Sequence, residues 1–429
     1  MSLPAIGVVL MLLGFRSLRF ENRWFGSCFV LTLLRAVHFF LLLILNTTIW
    51  VSAGTLSALL VPLEWAGLLL LLAEYVCFWQ GLRAVREKAG LPPQAKAAGW
   101  LIFWYLLMCV LGMVEYSGLI LVAALLAVYV LIFRSLFRCS RELDEAGYGI
   151  QSAPVRIPDG WVVKGLVLLV LIGGYLFGHS YPMDWHPVEE AAQDGLEDVR
   201  AKLLALGFPE EVLNDLTPED LASCRDGVEV VVDVTSETFS ENGRGQEEMR
   251  VTGVGVRLAG ERERWIIFHH FLWTEDPGFY GTESIQLWPV YQDRPEGWAE
   301  AGEVTGRVLY SRDGREYAAP YFSLGEQTFT SDSIFWGEQQ STAIFATFSF
   351  PADGERQRGY LAYPVAELQD GYLISSWVNY THQSSWLQYP VVTAMEKRMT
   401  SAWNRAGVFL TVQDALQFHP LEGGAEQFS

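Results

Sequence analysis

Residues Phe25 to Leu45 read FGSCFVLTLLRAVHFFLLLIL, an apolar run long enough to cross the ~30 Å hydrocarbon core of a bilayer as one α-helix. Similar runs fill most of the chain as far as Pro182. Their approximate bounds are Leu56 to Leu82, Gly99 to Val114, Gly118 to Phe133 and Trp161 to Gly178, with a shorter run from Met1 to Phe15. This pattern predicts a membrane α-helical bundle of about six spans over residues 1–182.

Positive charge between these runs predicts their orientation, because Lys and Arg close to a span are retained on the cytoplasmic side. Basic residues occur in alternate linkers, which follow the first, third and fifth runs. They are Arg16, Arg19 and Arg23, then Arg83, Arg86, Lys88 and Lys96, then Arg134, Arg138, Arg141, Arg156 and Lys164. We therefore expect a multi-pass protein of the cell membrane with both termini outside the cytoplasm.

Four ionisable residues within the predicted spans form a candidate intramembrane polar cluster, namely Arg35, His38, Glu64 and Glu74. Charge at that depth is costly unless it is paired. At ~1.5 Å rise per residue, Arg35 and Glu74 come to similar depths in antiparallel helices, whereas Glu64 lies near the outer surface. A salt bridge that fixes two helices together is the favoured interpretation. A proton or ion relay is the alternative.

From Met183 onward the chain is polar and acidic, and this part accounts for the formal net charge of −19. Nucleic acid and anionic lipid headgroups both require a Lys/Arg surface, so we expect no nucleic-acid partner. Of the five cysteines, Cys224 alone falls in this acidic part. Without a second cysteine there, the part cannot form an internal disulfide and must depend on its hydrophobic core.

Residues 183–226 predict a helical collar. Helical spacing runs from Pro187 to Leu206, a second short helix begins near Pro209, and Thr217-Pro218 has the form of an N-cap followed by proline at the first helical position. The segment from Ala205 to Leu221, ALGFPEEVLNDLTPEDL, resembles a stretch of uncharacterised bacterial multi-spanning membrane proteins with an extracytoplasmic β-rich domain. The resemblance implies no activity.

Residues 227–429 predict an extracytoplasmic, mainly antiparallel β-sandwich. Valines alternate with polar residues from Val228 to Thr235, which is typical of a strand. Turn pairs such as Asp313-Gly314 and Asp353-Gly354 separate further strand-like runs. The run from Trp265 to Leu272 is apolar at almost every position and predicts a central strand. A later helix, from Val391 to Arg405, is expected to pack on the sheet.

Candidates for chemistry are few in this sequence. His269 and His270 are adjacent in a predicted strand and therefore point to opposite faces, so we expect one core and one surface histidine and no shared metal ion. His382 and His419 are isolated in the sequence. No Gly-x-Ser-x-Gly elbow or calcium loop occurs. We expect no enzyme, no metal and no cofactor.

Tryptophan is abundant in the acidic part of the chain. Stacking platforms for sugars or peptides are built from such residues, and the candidate ligand-facing side chains are Trp265, Trp273, Trp288 and Trp298. A core position for most of them is the favoured interpretation, because they lie in strand-patterned runs.

The acidic part from Met183 onward is larger than the membrane part that precedes it. These proportions predict a membrane-anchored extracytoplasmic recognition or sensing module, as an accessory subunit of a transport or signalling complex. The largest predicted cytoplasmic segment, Ser135 to Asp159, is too short for a catalytic domain, so a protein partner in the membrane is expected to carry any signal. Strong negative charge combined with aromatics favours a cationic peptide ligand. A small-solute or proton-coupled transporter that uses the intramembrane charges is the alternative function.

Overall fold

A computed structural model describes most of the chain. The described residues are 2–52, 57–113, 119–150, 152–154, 157–176, 178–188, 195–239, 247–333, 337–401, 405–420 and 426–427. The chain divides into two units, Met1–Phe177 and Gly178–Ser429. We call the first the helical unit and the second the β unit.

Seven helices make up the described part of the helical unit. They are α1 (Ser2–Leu18), α2 (Arg23–Leu45), α3 (Ile49–Ser52), α4 (Ser57–Lys88), α5 (Lys96–Met113), α6 (Leu119–Glu145) and α7 (Asp159–Leu176). Helix α2 begins where the side chain of Asn22 accepts a hydrogen bond from the backbone N–H of Phe25 at 3.0 Å. Helix α2 packs against α1, α4 and α7, and α5 packs between α4 and α6.

Among the described residues, three helices are both long and apolar enough to cross a membrane: Arg23–Leu45, Val61–Lys88 and Leu121–Glu145. These helices indicate membrane association. The expected count of six spans is not supported. The apolar helices Pro4–Leu18 and Lys96–Gly112 are shorter, and at ~1.5 Å per residue even the latter reaches only ~26 Å. The last predicted span falls on α7, whose side chains are described only as far as Leu169.

Two antiparallel sheets form the centre of the β unit, and the mainly antiparallel β region is thereby confirmed. Sheet A has the strand order β1-β8-β7-β11-β4-β3-β2, and β6 also pairs with β11. Its strands are β1 (His186–Pro187), β2 (Gly227–Phe239), β3 (Glu247–Leu258), β4 (Arg264–Trp273), β6 (Trp298–Glu300), β7 (Thr305–Arg312), β8 (Arg315–Ala319) and β11 (Glu355–Glu367).

Sheet B has the order β13-β14-β12-β5-β10-β9, with β15 beside β14. Its strands are β5 (Glu283–Trp288), β9 (Ser323–Ser333), β10 (Gly337–Phe348), β12 (Ile374–Gln383), β13 (Arg405–Ala406), β14 (Phe409–His419) and β15 (Glu426–Gln427). The short helix α11 (Val290–Asp293) follows β5.

The two sheets bury one hydrophobic core between them. Sheet A contributes residues such as Trp265, Ile267 and Phe271, and sheet B contributes residues such as Leu287 and Phe348. Strand β4 pairs with β11 on one side and with β3 on the other, and every residue from Trp265 to Trp273 is buried. The prediction of a central strand at this position is confirmed.

Three short helices cover the other face of sheet A. They are α8 (Glu197–Ala205), α9 (Glu210–Asp215) and α10 (Pro218–Ser223). Their apolar side chains, together with Cys224, form a second core against β3, β4 and β11. The predicted cap is confirmed, because Thr217 accepts from the backbone N–H of Asp220 and Pro218 opens α10. The helix predicted from Pro187 is wrong at its start, since Pro187 lies in β1.

Helix α12 (Ala394–Thr400) packs on the outer face of sheet B, against β5, β9 and β12. It is shorter than the predicted Val391 to Arg405. A capping box between Thr393 and Glu396 fixes its first residue, and Arg405 belongs to strand β13. Within the predicted range, Met395 and Met399 lie in α12, whereas Trp403 is outside the described residues.

Candidate functional site

Three of the four candidate ligand-facing tryptophans are core residues. Trp265, Trp273 and Trp298 are 0%, 2% and 1% exposed, so they cannot form a binding surface. The reason is strand register: Trp265 and Trp273 lie on the face of β4 that meets sheet B, where Trp265 packs on Phe418. The favoured interpretation of a core position holds for these three side chains.

Trp288 differs, because it lies on the outer face of sheet B. Successive residues of a strand point to opposite faces. Ile285 and Leu287 of β5 belong to the shared core, so Gln286 and Trp288 point outward. On the neighbouring strand β12, Val378 and Tyr380 belong to that core, which turns Trp377 outward in the same way.

The register of the two strands makes these tryptophans direct neighbours. Trp288 and Trp377 are Cα partners across the antiparallel pair of β5 and β12. Side chains at such positions have Cβ atoms ~5 Å apart on one face of the sheet. Both indoles are half-buried. Together they line a groove of about 650 Å³, which lies within the usual range for small-molecule sites. We call it the indole groove.

The other walls of the indole groove are hydroxyl and amide side chains and one carboxylate. Beside the two indoles, the lining residues are Gln292, Asp293, Ser341, Thr342 and Gln413. The charge of the Asp293 carboxylate is partly neutralised, because Arg294 Nε lies 3.4 Å from Asp293 Oδ2. Hydroxyl and amide groups both donate and accept hydrogen bonds. The groove therefore combines flat apolar faces with neutral groups that suit hydroxyl-bearing ligands.

Neighbouring contacts hold the groove in shape. Trp377 Nε1 donates to Ser375 Oγ at 3.0 Å, and Gln417 Nε2 donates to the same oxygen at 3.1 Å. One step along the sheet, Arg398 of α12 and Asn379 both donate to Gln286 Oε1, at 2.8 and 3.1 Å. Helix α12 thus covers the adjoining part of this sheet face.

Trp377 was not among the candidate residues chosen from the sequence. The signal that could have found it is its position between Ser376 and Val378, one residue out of phase with the apolar Val378 and Tyr380. That phase predicts an outward indole only when the apolar positions are known to face the core. The pairing with Trp288 could not be read from the sequence, because it depends on two strands nearly a hundred residues apart.

The intramembrane candidates separate into a pair and two single residues. Arg35 Nη1 lies 2.8 Å from Glu74 Oε2, which is the pair that matched depths predict. Thr32 Oγ1 donates to Glu74 Oε1 at 2.7 Å, and Glu74 is fully buried. Both oxygens of the Glu74 carboxylate therefore contact side chains of helix α2. This arrangement favours a structural salt bridge between α2 and α4 over a proton or ion relay.

His38 and Glu64 lie apart from this pair. His38 Nε2 is 2.7 Å from the carbonyl oxygen of Leu63 in the neighbouring helix α4. Glu64 is exposed. A Cβ on Gly67 would lie 2.7 Å from His38 Cε1, so glycine at that position admits the imidazole. The structure does not assemble the four residues into one cluster.

His269 and His270 are both buried, so the expected surface histidine is wrong. The helices α8 to α10 cover the face that was expected to meet solvent. His269 Nε2 lies 2.7 Å from Ser376 Oγ in the shared core, and burial lowers the pKa of His269 to about 3. His270 Nε2 lies 2.9 Å from Asp215 Oδ2 on the helical side. Within the described ranges, no group of three or more potential ligands is suited to a metal ion.

Asp215 is the centre of a buried ionic network between α9 and sheet A. Arg358 Nε donates to both of its carboxylate oxygens at 2.9 Å, and Arg358 also pairs with Glu316. Burial alone would raise the pKa of Asp215. The hydrogen bond and charge of His270 and the charge of Arg358 outweigh burial, and the pKa of Asp215 is lowered.

His382, isolated in the sequence, also has a charged neighbour in the fold. Its Nδ1 lies 3.0 Å from Glu283 Oε1, and both side chains are fully buried between the sheets. Strands β12 and β5 bring the two residues together. Buried polar groups of this kind specify one register of a sheet.

No family model matches the chain, and no curated protein matches it. A solved structure described as "Pore forming protein" is 9% identical, covers 47% of this chain and 96% of its own, and has a TM-score of 0.21. Clostridium perfringens delta-toxin is 11% identical over 47% of this chain and 93% of its own, with a TM-score of 0.15. Similarity at this level carries no argument about the fold or the function of the present chain.

The buried pair of the helical unit predicts a double-mutant result. Arg35→Leu leaves the Glu74 carboxylate buried without its cation and should lower the free energy of unfolding by about 3 kcal/mol. Adding Glu74→Leu removes the orphaned charge and should restore part of the loss. Thermal unfolding in mild detergent measures both variants. Equal losses in the single and the double variant would contradict the pairing.

The Asp215 network predicts a pH dependence. A carboxylate whose folded pKa lies below its unfolded value of ~3.9 stabilises the fold above that value, and this contribution is lost as the pH falls through the folded pKa. Asp215→Asn should cost about 3 kcal/mol at pH 7 and progressively less below pH ~4.

Glu211→Gln is the matched control, because Glu211 is on the same helix but is partly exposed, with Arg250 and Arg356 as its partners. It should cost less than about 1 kcal/mol. Denaturant unfolding between pH 7 and pH 3 measures both variants. A pH-independent cost of Asp215→Asn would disprove the linkage.

Proposed function

We propose that this chain is a membrane-anchored recognition or sensing module that binds its ligand in the indole groove, outside the cytoplasm. The observation that carries the proposal is the in-register pair of half-buried indoles, Trp288 and Trp377, on the outer face of sheet B. Large aromatic side chains are normally buried in a sheet protein of this size. Two of them side by side on an outward face, in a groove of ligand size, are typical of a binding platform.

The chemistry of the groove favours a neutral, hydroxyl-rich ligand such as an oligosaccharide. The C–H faces of a sugar ring are apolar and flat enough to lie on an indole, while its hydroxyls require partners that donate and accept. Gln292, Gln413 and Thr342 provide such partners. A cationic peptide, which the overall charge favours, would find in the groove one carboxylate that already has Arg294 beside it.

The helical unit provides the anchor in this proposal. Three of its described helices are long and apolar enough to cross a membrane, and α1 and α7 pack against the first of these, α2. The alternation of basic linkers supports an orientation with both termini outside. A recognition event outside would then reach the cytoplasm through a protein partner in the membrane, as expected for an accessory subunit.

The groove predicts which substitutions abolish binding. Full-length chain in lipid nanodiscs is screened on an oligosaccharide array, and the best binder is titrated. Trp377→Ala and Trp288→Ala should each weaken affinity about tenfold or more, because each removes a stacking face worth roughly 1.4 kcal/mol. Trp386→Ala is the matched control, since that indole is 55% exposed but lies outside the groove.

Binding of cationic peptides alone, weakening from low to physiological salt, would favour the charge-based alternative over the oligosaccharide. Affinity that is unchanged in both groove variants would remove the groove from the function.

The proposed orientation predicts a labelling pattern in intact cells. An impermeant thiol reagent should label Thr328→Cys in the β unit and should not label Gln94→Cys in the linker between α4 and α5, which Lys88 and Lys96 flank. Both positions are exposed, so accessibility differs only through the membrane. The chain without either substitution is the control, because it measures how much reagent reacts with the five native cysteines. Labelling at Gln94→Cys alone would reverse the orientation.

A further inference from the structure

The segment Ser384–Pro390, between β12 and α12, carries a set of exposed apolar side chains. Trp386, Leu387 and Tyr389 are 55%, 73% and 37% exposed. No residue in the segment is charged. Three large apolar residues within four positions of one loop are unusual for a surface in contact with water alone. We call this segment the apolar loop.

The backbone of the apolar loop is tied down by its own polar groups. Gln383 Nε2 donates to the carbonyl oxygen of Ser385 at 2.9 Å, and Gln388 Nε2 donates to that of Val392 at 3.0 Å. The backbone N–H of Leu387 donates to Ser385 Oγ at 3.1 Å. Because these polar groups already have hydrogen-bond partners within the protein, moving the loop out of water costs less desolvation free energy.

The loop lies beside the first residues of the β unit. The ring of Trp386 is 6.2 Å from the ring of His179, centroid to centroid. Two residues further on, Tyr181 stacks on the exposed Phe322 at 4.5 Å. His179 follows Leu176, the last residue of α7, by three positions. Covalent geometry therefore keeps the two Cα atoms within ~11 Å of each other.

From this combination we infer that the apolar loop inserts into the outer interface of the bilayer and holds the β unit against the membrane. Trp and Tyr prefer this interface because their rings are apolar and their N–H and O–H groups reach water and headgroups. The neutral loop also avoids repulsion between the acidic β unit and anionic lipid. The inference rests on the proposed membrane anchoring through α7.

The opposite end of the sandwich provides an internal control. Leu368 is 59% exposed, and it lies just before the start of β12, whereas the apolar loop follows the end of that strand. The nine residue steps of β12 span ~30 Å. Leu368 is thus a leucine that is also mostly exposed, like Leu387, and that the inference places away from the bilayer.

The test uses the full-length chain in lipid nanodiscs with the photocrosslinking residue p-benzoylphenylalanine at Leu387, Leu368 or Leu169, the last of these within α7. After irradiation, mass spectrometry counts adducts with lipid and with protein. Lipid adducts at position 387 should be about tenfold more abundant than at position 368, as expected for an interfacial residue, and comparable with those at position 169.

Lipid adducts at position 169 without an excess at position 387 would overturn the inference and leave the anchoring intact. Adducts at neither position would contradict the anchoring itself. Protein adducts from position 387, to a second copy or to another chain, would overturn the inference in favour of a protein interface.

Discussion

The double burial of strand β4 is the constraint on which the β unit depends. Every side chain from Trp265 to Trp273 is withdrawn from water, on both faces of the strand. A strand of this composition requires an apolar layer on each side. Sheet B provides one layer, and helices α8 to α10 provide the other. The helices are therefore part of the hydrophobic core, and removal of residues 195–226 would expose one face of sheet A.

This layering also decides where a ligand can bind. The centre of sheet A is covered on both faces, and the inner face of sheet B is core, so the outer face of sheet B offers a broad sheet surface among the described residues. Helix α12 takes one part of it, next to the apolar loop. The indole groove lies towards the other end of β12. A ligand in the groove and a bilayer against the loop would consequently occupy different ends of the unit and would not compete for space.

Sequence patterns predicted those features that depend on local chemistry or on one repeating period. The apolar run of β4, the Thr217 cap and the pairing of Arg35 with Glu74 are of this kind. Features that depend on partners distant in the chain were missed. One of His269 and His270 was expected at the surface because alternation alone does not reveal a third layer. Trp265 and Trp273 were ambiguous for a related reason, since an indole in a strand can face the core or solvent equally well.

Composition also did not predict where helix α12 ends or how many helices are long enough to span a membrane. Helix α12 ends before Arg405 because strand β13 begins there, and pairing with β14 is a long-range effect. The runs near Met1 and Gly99 are apolar, yet their helices fall short of a full crossing in the described residues. Hydropathy reports how apolar a run is, whereas a membrane span also requires a helix of about 20 residues.

The cysteines have a consequence for where this protein can mature. All five are free thiols. In the β unit, Cys224 is fully buried in the core between the helices and sheet A, and burial raises the pKa of its thiol to about 12. The reactive thiolate is therefore scarce at neutral pH, and oxidants and disulfide-exchange catalysts have little access to it. The β unit should reach the same folded state in a reducing and in an oxidising compartment, independent of any enzyme that forms disulfides.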